Sequence, residues 1–165
     1  MSMLTASALA ALFPLLFGFI WYNPKILGKA WMDSAGLTEE KMKGANMILI
    51  FGLTYLFSFF VAISLNVLTI HQLALSSLIQ GHETDPVYIK WKADSMALVG
   101  EGFRTFKHGA LHGILSSIFL ILPIIAINAM FERRGFKYIL INWGFWAVCF
   151  VVMGGIVCQF VTHAL

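Results

Sequence analysis

The chain has 165 residues, 59% hydrophobic and only 12% charged, with a mean hydropathy of +0.83. Soluble domains carry about 25% charged residues, so an ordinary soluble fold is excluded, and the length leaves room for one domain. The net charge of +3 is no nucleic-acid signal here, because excess Lys and Arg is the usual mark of cytoplasmic membrane loops; no nucleic-acid partner is expected.

All eleven Lys and Arg and all eight Asp and Glu fall between Lys25 and Lys43, between Glu83 and Lys107, or between Glu132 and Lys137. A bilayer core about 30 Å thick takes roughly 20 apolar residues in a helix, and a central charge costs about 2.5–3.5 kcal/mol. The long uncharged blocks therefore predict an all-α integral membrane protein. Its four transmembrane helices, seated in a lipid bilayer, form two antiparallel hairpins.

The first span is expected over residues 3–22. No Lys or Arg precedes it, which argues against a secretory signal and favours an outside N-terminus. Pro14 and Gly18 interrupt it. Pro24 stops the helix, because it has no N–H and restricts Asn23. Trp21 and Tyr22 suit the headgroup level while Lys25 and Lys29 snorkel. Trp21, Tyr22, Asn23 and Trp31 thus read as an interfacial anchor; the competing reading makes Asn23 and Trp31 the lip of a pocket between helices. Thr38 with Glu39 and Glu40 is an N-cap with acids in the first turn, expected to start the long second helix just inside the cytoplasm.

A helix from Asn46 to Leu78 would be about 50 Å long, too long for one span. The second span is expected over 46–70, with an extension into water or a break between Asn66 and Gln72. An outer loop of about 25 residues, Gln80 to Thr105 and partly helical, follows; loops of that length tend to be functional or disordered. The third span is expected over 108–130, with Pro123 inside it, and the fourth over 138–162.

Seven basic residues (Lys25, Lys29, Lys41, Lys43, Arg133, Arg134, Lys137) lie on the face of the first and third loops, against four (Lys90, Lys92, Arg104, Lys107) opposite. The count places both termini outside. Pro14 and Asn23 have counterparts in Pro123 and Asn128, but almost nothing else repeats between the halves.

Cys149 and Cys158, nine residues apart, face nearly opposite sides of one helix about 13 Å apart along its axis. They cannot bridge and read as small buried residues. Thr54, Ser58, Ser64, Asn66, Ser116, Ser117, Asn142 and Gln159 are the polar residues within the membrane. Such groups most often bond neighbouring helices, at about 0.6 kcal/mol each; the alternative is a polar path for a solute. Without an intramembrane charge, a carboxylate proton relay, a voltage sensor and an ion pump are disfavoured.

All five histidines (His71, His82, His108, His112, His163) fall towards one side of the predicted bundle. His108 and His112 are spaced i, i+4 and share a helix face, a geometry able to hold one divalent transition metal. Asp94 and Glu101 are close enough in sequence to add an oxygen ligand. The motif lacks the Glu of HExxH, and the competing reading is two plain interfacial histidines. Gly109, Gly113 and Ser117 form a small-residue stripe, with Gly154 and Gly155 a partner surface for close packing within or between chains. Gly100-Glu101-Gly102 is a lone GxG with no strand before it and is rejected as a dinucleotide site. No catalytic residue is assigned, no cofactor beyond that metal is expected, and the chain reads as a non-enzyme.

Gly18, Trp21-Tyr22-Asn23-Pro24, Gly28-Lys29, Trp31 and Gly36-Leu37-Thr38-Glu39-Glu40 make a distinctive early stretch. Pro123, Asn128, Phe131-Glu132-Arg133, Lys137, Asn142-Trp143-Gly144 and Met153-Gly154 answer it late in the chain. Together they resemble the membrane family called domain of unknown function 1761. The resemblance covers nearly the whole chain, with Gln80 to Phe106 the least alike. It implies a compact four-helix protein of the bacterial inner membrane and carries over no activity, substrate or catalytic residue. Four spans make a thin bundle, so the leading expectation is a homo-oligomer passing a small solute or ion. A metal- or pH-responsive sensor using the outer histidines is the second reading, and a membrane scaffold binding another protein the third.

Overall fold

The computed structural model describes residues 1–78, 80–100 and 102–162. The described residues form eight helices and no strand: α1 (Met3–Trp21), α2 (Gly28–Ala35), α3 (Glu39–Met42), α4 (Met47–Thr69), α5 (His71–Leu78), α6 (Pro86–Val99), α7 (Phe106–Phe131) and α8 (Phe136–Phe160). Helices α1, α4, α7 and α8 are long and apolar enough to cross a membrane, and the chain is a multi-pass membrane protein. Polar side chains start several helices by accepting orphan N–H groups: Ser2 from Thr5, Thr38 from Lys41, Asn46 from Leu49 and Asp85 from Val87.

Helix α8 is the axis of the bundle and the most enclosed of the four long helices; α1, α4 and α7 all pack on it. Contact with α7 is the most intimate. A Cβ added at Gly109 would collide with the Gly154 carbonyl, and one at Gly113 with the Phe150 carbonyl. Two backbones approach this closely only where side chains are missing. The outward faces carry Phe19, Ile48, Phe57 and Phe119, all exposed, as expected where hydrocarbon replaces water.

Hydrogen bonds fix which helix ends lie together. The N-terminal ammonium donates to the Phe160 carbonyl (3.0 Å) and the Thr162 hydroxyl (2.6 Å), and the Thr162 N–H returns to the Met1 carbonyl (2.9 Å). The Cys158 thiol donates to the carbonyls of Thr69 (3.6 Å) and Phe103 (3.4 Å). The start of α1, the ends of α4 and α8 and the start of α7 therefore share one end of the bundle, with both termini. At the other end the Trp21 indole N–H donates to the Ile141 carbonyl (3.1 Å), and Gly36 lies against the Arg134 guanidinium.

Helix α4 stops at Thr69, where Ile70 turns extended and fully buried before α5 begins. This break falls inside the window expected from the length of the apolar block and replaces an extension into water. Helix α7 starts two residues before the expected 108. The Thr105 hydroxyl accepts the His108 N–H, and the Gln159 side chain accepts that of Phe106, so two orphan donors of its first turn are satisfied.

Midway, α7 widens into a π-turn over Ser117–Ile121, in which the Leu122 N–H reaches back to the Ser117 carbonyl. Pro123 follows, and its missing N–H cannot complete a normal turn. The Ser117 carbonyl accepts a second bond, from the Trp143 indole (3.1 Å).

Candidate metal centre

The end of the bundle that holds both termini also gathers three histidines from two separate parts of the chain. His71 is the first residue of α5, placed there by the break at Ile70. His108 and His112 lie one turn apart at the start of α7. Each offers a ring nitrogen, and these three atoms lie within 4.8 Å of one another. The Nε2 atoms of His71 and His108 are 3.0 Å apart, and the three ring centroids are separated by 4.5–5.0 Å. The His71–His108 contact requires a proton on one of the two nitrogens. A metal cation replaces that proton when it binds neutral imidazoles.

Around a tetrahedral metal with bonds of about 2.0–2.1 Å, ligand nitrogens sit about 3.3 Å apart. The His71–His108 pair, at 3.0 Å, is near that separation, and no pair need close by more than about 1.5 Å. His71 is exposed and the other two are half-buried, so the cluster is reachable from water. Among the described residues no carboxylate joins the group, and its donor set is all imidazole. That suits zinc, copper, nickel or cobalt and is poor for magnesium or calcium, which demand oxygen ligands.

The surrounding loop is tied down independently of any ion. The Gln72 amide donates to the carbonyls of Gly100 (3.0 Å) and Gly102 (3.2 Å), and Arg104 Nε donates to the Cys158 carbonyl (3.0 Å). Phe103 stands beside His108 and His71, with ring centroids 5.2 and 6.4 Å away. Its backbone has φ of 66°, a left-handed conformation that is uncommon for a bulky residue.

The remaining candidates lie elsewhere. Asp94, expected as an oxygen ligand, is on α6 and pairs with Lys90 (2.6 Å) one turn away. It is not part of the cluster, because α6 leads its acidic residue into an exposed i, i+4 pair. His82 stacks on Tyr88 at 4.4 Å. Glu101 and His163 lie outside the described residues. His71 is the member that the i, i+4 motif misses; its signal was its place just beyond a predicted break, on the same side as the other two.

Trp21, Tyr22, Asn23 and Trp31 form a joint between α1, α2 and α8. The Tyr22 ring lies 5.1 Å from Trp31 and 5.2 Å from Phe145, and Trp21 packs against Gly144. Asn23 builds the turn: its side chain accepts the Lys25 N–H (2.9 Å), and its carbonyl accepts those of Ile26 and Gly28. Gly28 allows this, since a Cβ there would strike the Tyr22 carbonyl. Gly109, Gly113 and Gly154 face one another between α7 and α8 of one chain, and Gly155 lies under the Phe106 ring. Ser117, also buried, closes its hydroxyl on the Ile114 carbonyl (2.9 Å). Cys149 and Cys158 are free and buried.

Neither a curated protein nor a solved structure matches the chain. The family model described as "Protein of unknown function (DUF1761)" matches residues 5–158, a stretch that holds the Trp21–Trp31 joint, the glycine contact of α7 with α8 and all three clustered histidines. The chain belongs to the DUF1761 family.

Proposed function

We propose that this protein is a metal-responsive membrane protein that binds a divalent transition metal at its outer face through His71, His108 and His112. The observation that carries the reading is the convergence of three ring nitrogens within 4.8 Å from residues as far apart in sequence as His71 and His112. Bound metal would tie the α4–α5 joint to the start of α7. Because Gln72 already holds Gly100 and Gly102, that tie would extend to the whole segment from α5 to the start of α7. A change in metal occupancy would then alter how firmly the outer segment sits on the bundle, without catalysis. Both termini lie on the metal-binding, outer side in this reading, as the positive-inside count favours.

Passage of a solute through a homo-oligomer has less support. The side chains that could line a polar path are largely closed on their own helices: Thr54 on Ile50, Ser64 on Phe60, Ser116 on His112 and Asn142 on Tyr138. The glycine stripe that could have joined subunits is occupied within the chain.

Purified protein in detergent should bind zinc at about one ion per chain. A ligand specific to the folded state raises stability as RT ln(1 + [L]/Kd), about 2.7 kcal/mol at a hundredfold excess over Kd. The thermal midpoint should therefore rise with zinc, and rise less in His71→Ala, His108→Ala and His112→Ala. An equal rise in the triple variant would overturn the reading, and flux of solute through liposomes holding only this protein would favour the permeation alternative.

A further inference from the structure

We infer that the metal held by His71, His108 and His112 keeps one coordination position open to the aqueous face, where it takes water or a small monodentate anion. The inference rests on the metal-binding reading above and adds what that metal can do. Zinc-like ions are four-coordinate in most protein sites, and three protein ligands leave the fourth place to an exogenous donor; a closed structural site supplies all four.

Among the described residues, no fourth His, Cys, Asp or Glu joins the three imidazoles. The Asp94 carboxylate is paired with Lys90 at 2.6 Å. The Thr105 hydroxyl holds the His108 N–H at 3.2 Å. The Gln72 amide is bound to the carbonyls of Gly100 and Gly102. The Cys158 thiol is fully buried and donates to two carbonyls. The neighbour that does cover the imidazoles is Phe103, whose ring brings no donor, and the exposed edge of His71 leaves the cluster open to water.

The class of ligand follows from charge and size. Three neutral imidazoles leave a divalent ion with its full charge. An anion is therefore favoured over a neutral donor. The Phe103 ring beside two of the three ligands limits the ligand to a small one.

Cobalt(II) is the probe, because its visible bands report coordination number and ligand exchange, and azide is the test anion. Detergent-purified full-length protein loaded with cobalt should show the intense bands of four-coordination. Azide should shift them in a saturable one-to-one titration. Bands that azide leaves unmoved at large excess would overturn the open position while leaving the metal centre standing. The absence of cobalt bands would overturn both readings. The same bands and azide shift in the His71→Ala/His108→Ala/His112→Ala variant would place the ion elsewhere and overturn the assignment. His71→Ala alone removes an exposed ring and serves as the variant least exposed to folding failure; it should lose the four-coordinate bands while keeping the elution profile of the native protein.

Discussion

Replacing Gly113 with alanine tests the tightest contact in the molecule. The added Cβ would meet the Phe150 carbonyl, with the Phe150 carbonyl carbon at 2.6 Å and the Val151 nitrogen at 3.0 Å. Carbon contacts are optimal at about 3.5–4.0 Å, so α7 must move away from α8 by about 1 Å. Overpacking of this kind costs about 1–3 kcal/mol, and the upper end applies because the obstacles are backbone atoms that cannot rotate aside. Alanine returns about 1 kcal/mol through its better helix propensity, leaving a net loss of about 2 kcal/mol. The control is Gly52→Ala in the second turn of α4, where a Cβ meets nothing within 4 Å; it should be neutral or stabilising by up to about 1 kcal/mol. Both variants would be unfolded in mixed micelles by increasing dodecyl sulfate, followed by tryptophan fluorescence, with native mass spectrometry run in parallel. Gly113→Ala should lose stability at unchanged assembly mass. Equal stability of the two variants, with subunits lost only from Gly113→Ala, would refute the packing argument and move the glycine stripe to a contact between chains.

Three further outcomes are expected. Reporters fused after Leu165 and within residues 133–137 should report opposite sides of the membrane, with the C-terminus outside; reporters on one side would contradict the bundle ends described here. Ser58→Ala should leave stability unchanged or raise it by up to about 1 kcal/mol, since its buried hydroxyl oxygen has no partner. Asn66→Ala should instead lower stability by about 1–2 kcal/mol through loss of the bonds from its amide to the Ser7 hydroxyl and the Ala62 carbonyl, so the reverse ranking in the unfolding assay would contradict this account. The stabilisation by zinc should fade in acid, where imidazole becomes imidazolium and can no longer ligate; thermal scans at matched zinc but different pH would show it, and a pH-independent rise would point away from histidine ligands.

Charge placement made the four long helices legible, because the cost of an ion in hydrocarbon confines Asp, Glu, Lys and Arg to the connections. Their ends were legible to within a few residues, since Pro24 and Asn46 act through local chemistry; Thr38, expected to start the long second helix, instead caps the separate short helix α3, and α4 begins only after Asn46. Helix length alone left an extension into water or a break between Asn66 and Gln72, and the buried, extended Ile70 decides for the break. Long-range partners were another matter. His108 and His112 lie on one helix face and announce each other, whereas His71 joins them only once α4 and α7 are packed, which no local spacing encodes. Asp94 shows the opposite case: its nearness in sequence to α7 counted for little once α6 formed and offered Lys90 one turn away. Trp21 and Trp31 carry the same chemistry whether they face headgroups or α8, so an aromatic belt and a helix joint look identical until tertiary contacts distinguish them. The glycine stripe, too, announced a close approach without saying to what.

The wide turn at Ser117–Ile121 separates α7 into two half-helices whose phases are set independently. An ordinary helix advances about 100° per residue, and a π-turn inserts one residue into that count. The upper half can therefore present Gly109 and Gly113 to α8 and its imidazoles to His71, while the lower half turns Ile124 and Ile127 outward without obeying the same register. Removing one residue from the wide turn would restore a uniform helix and rotate one half against the other. The histidines would then swing off their partner, or the lipid-facing residues would swing inward, although every side chain had been kept. The placement of the three histidines is thus held by the length of this turn as much as by the packing of the helices that carry them.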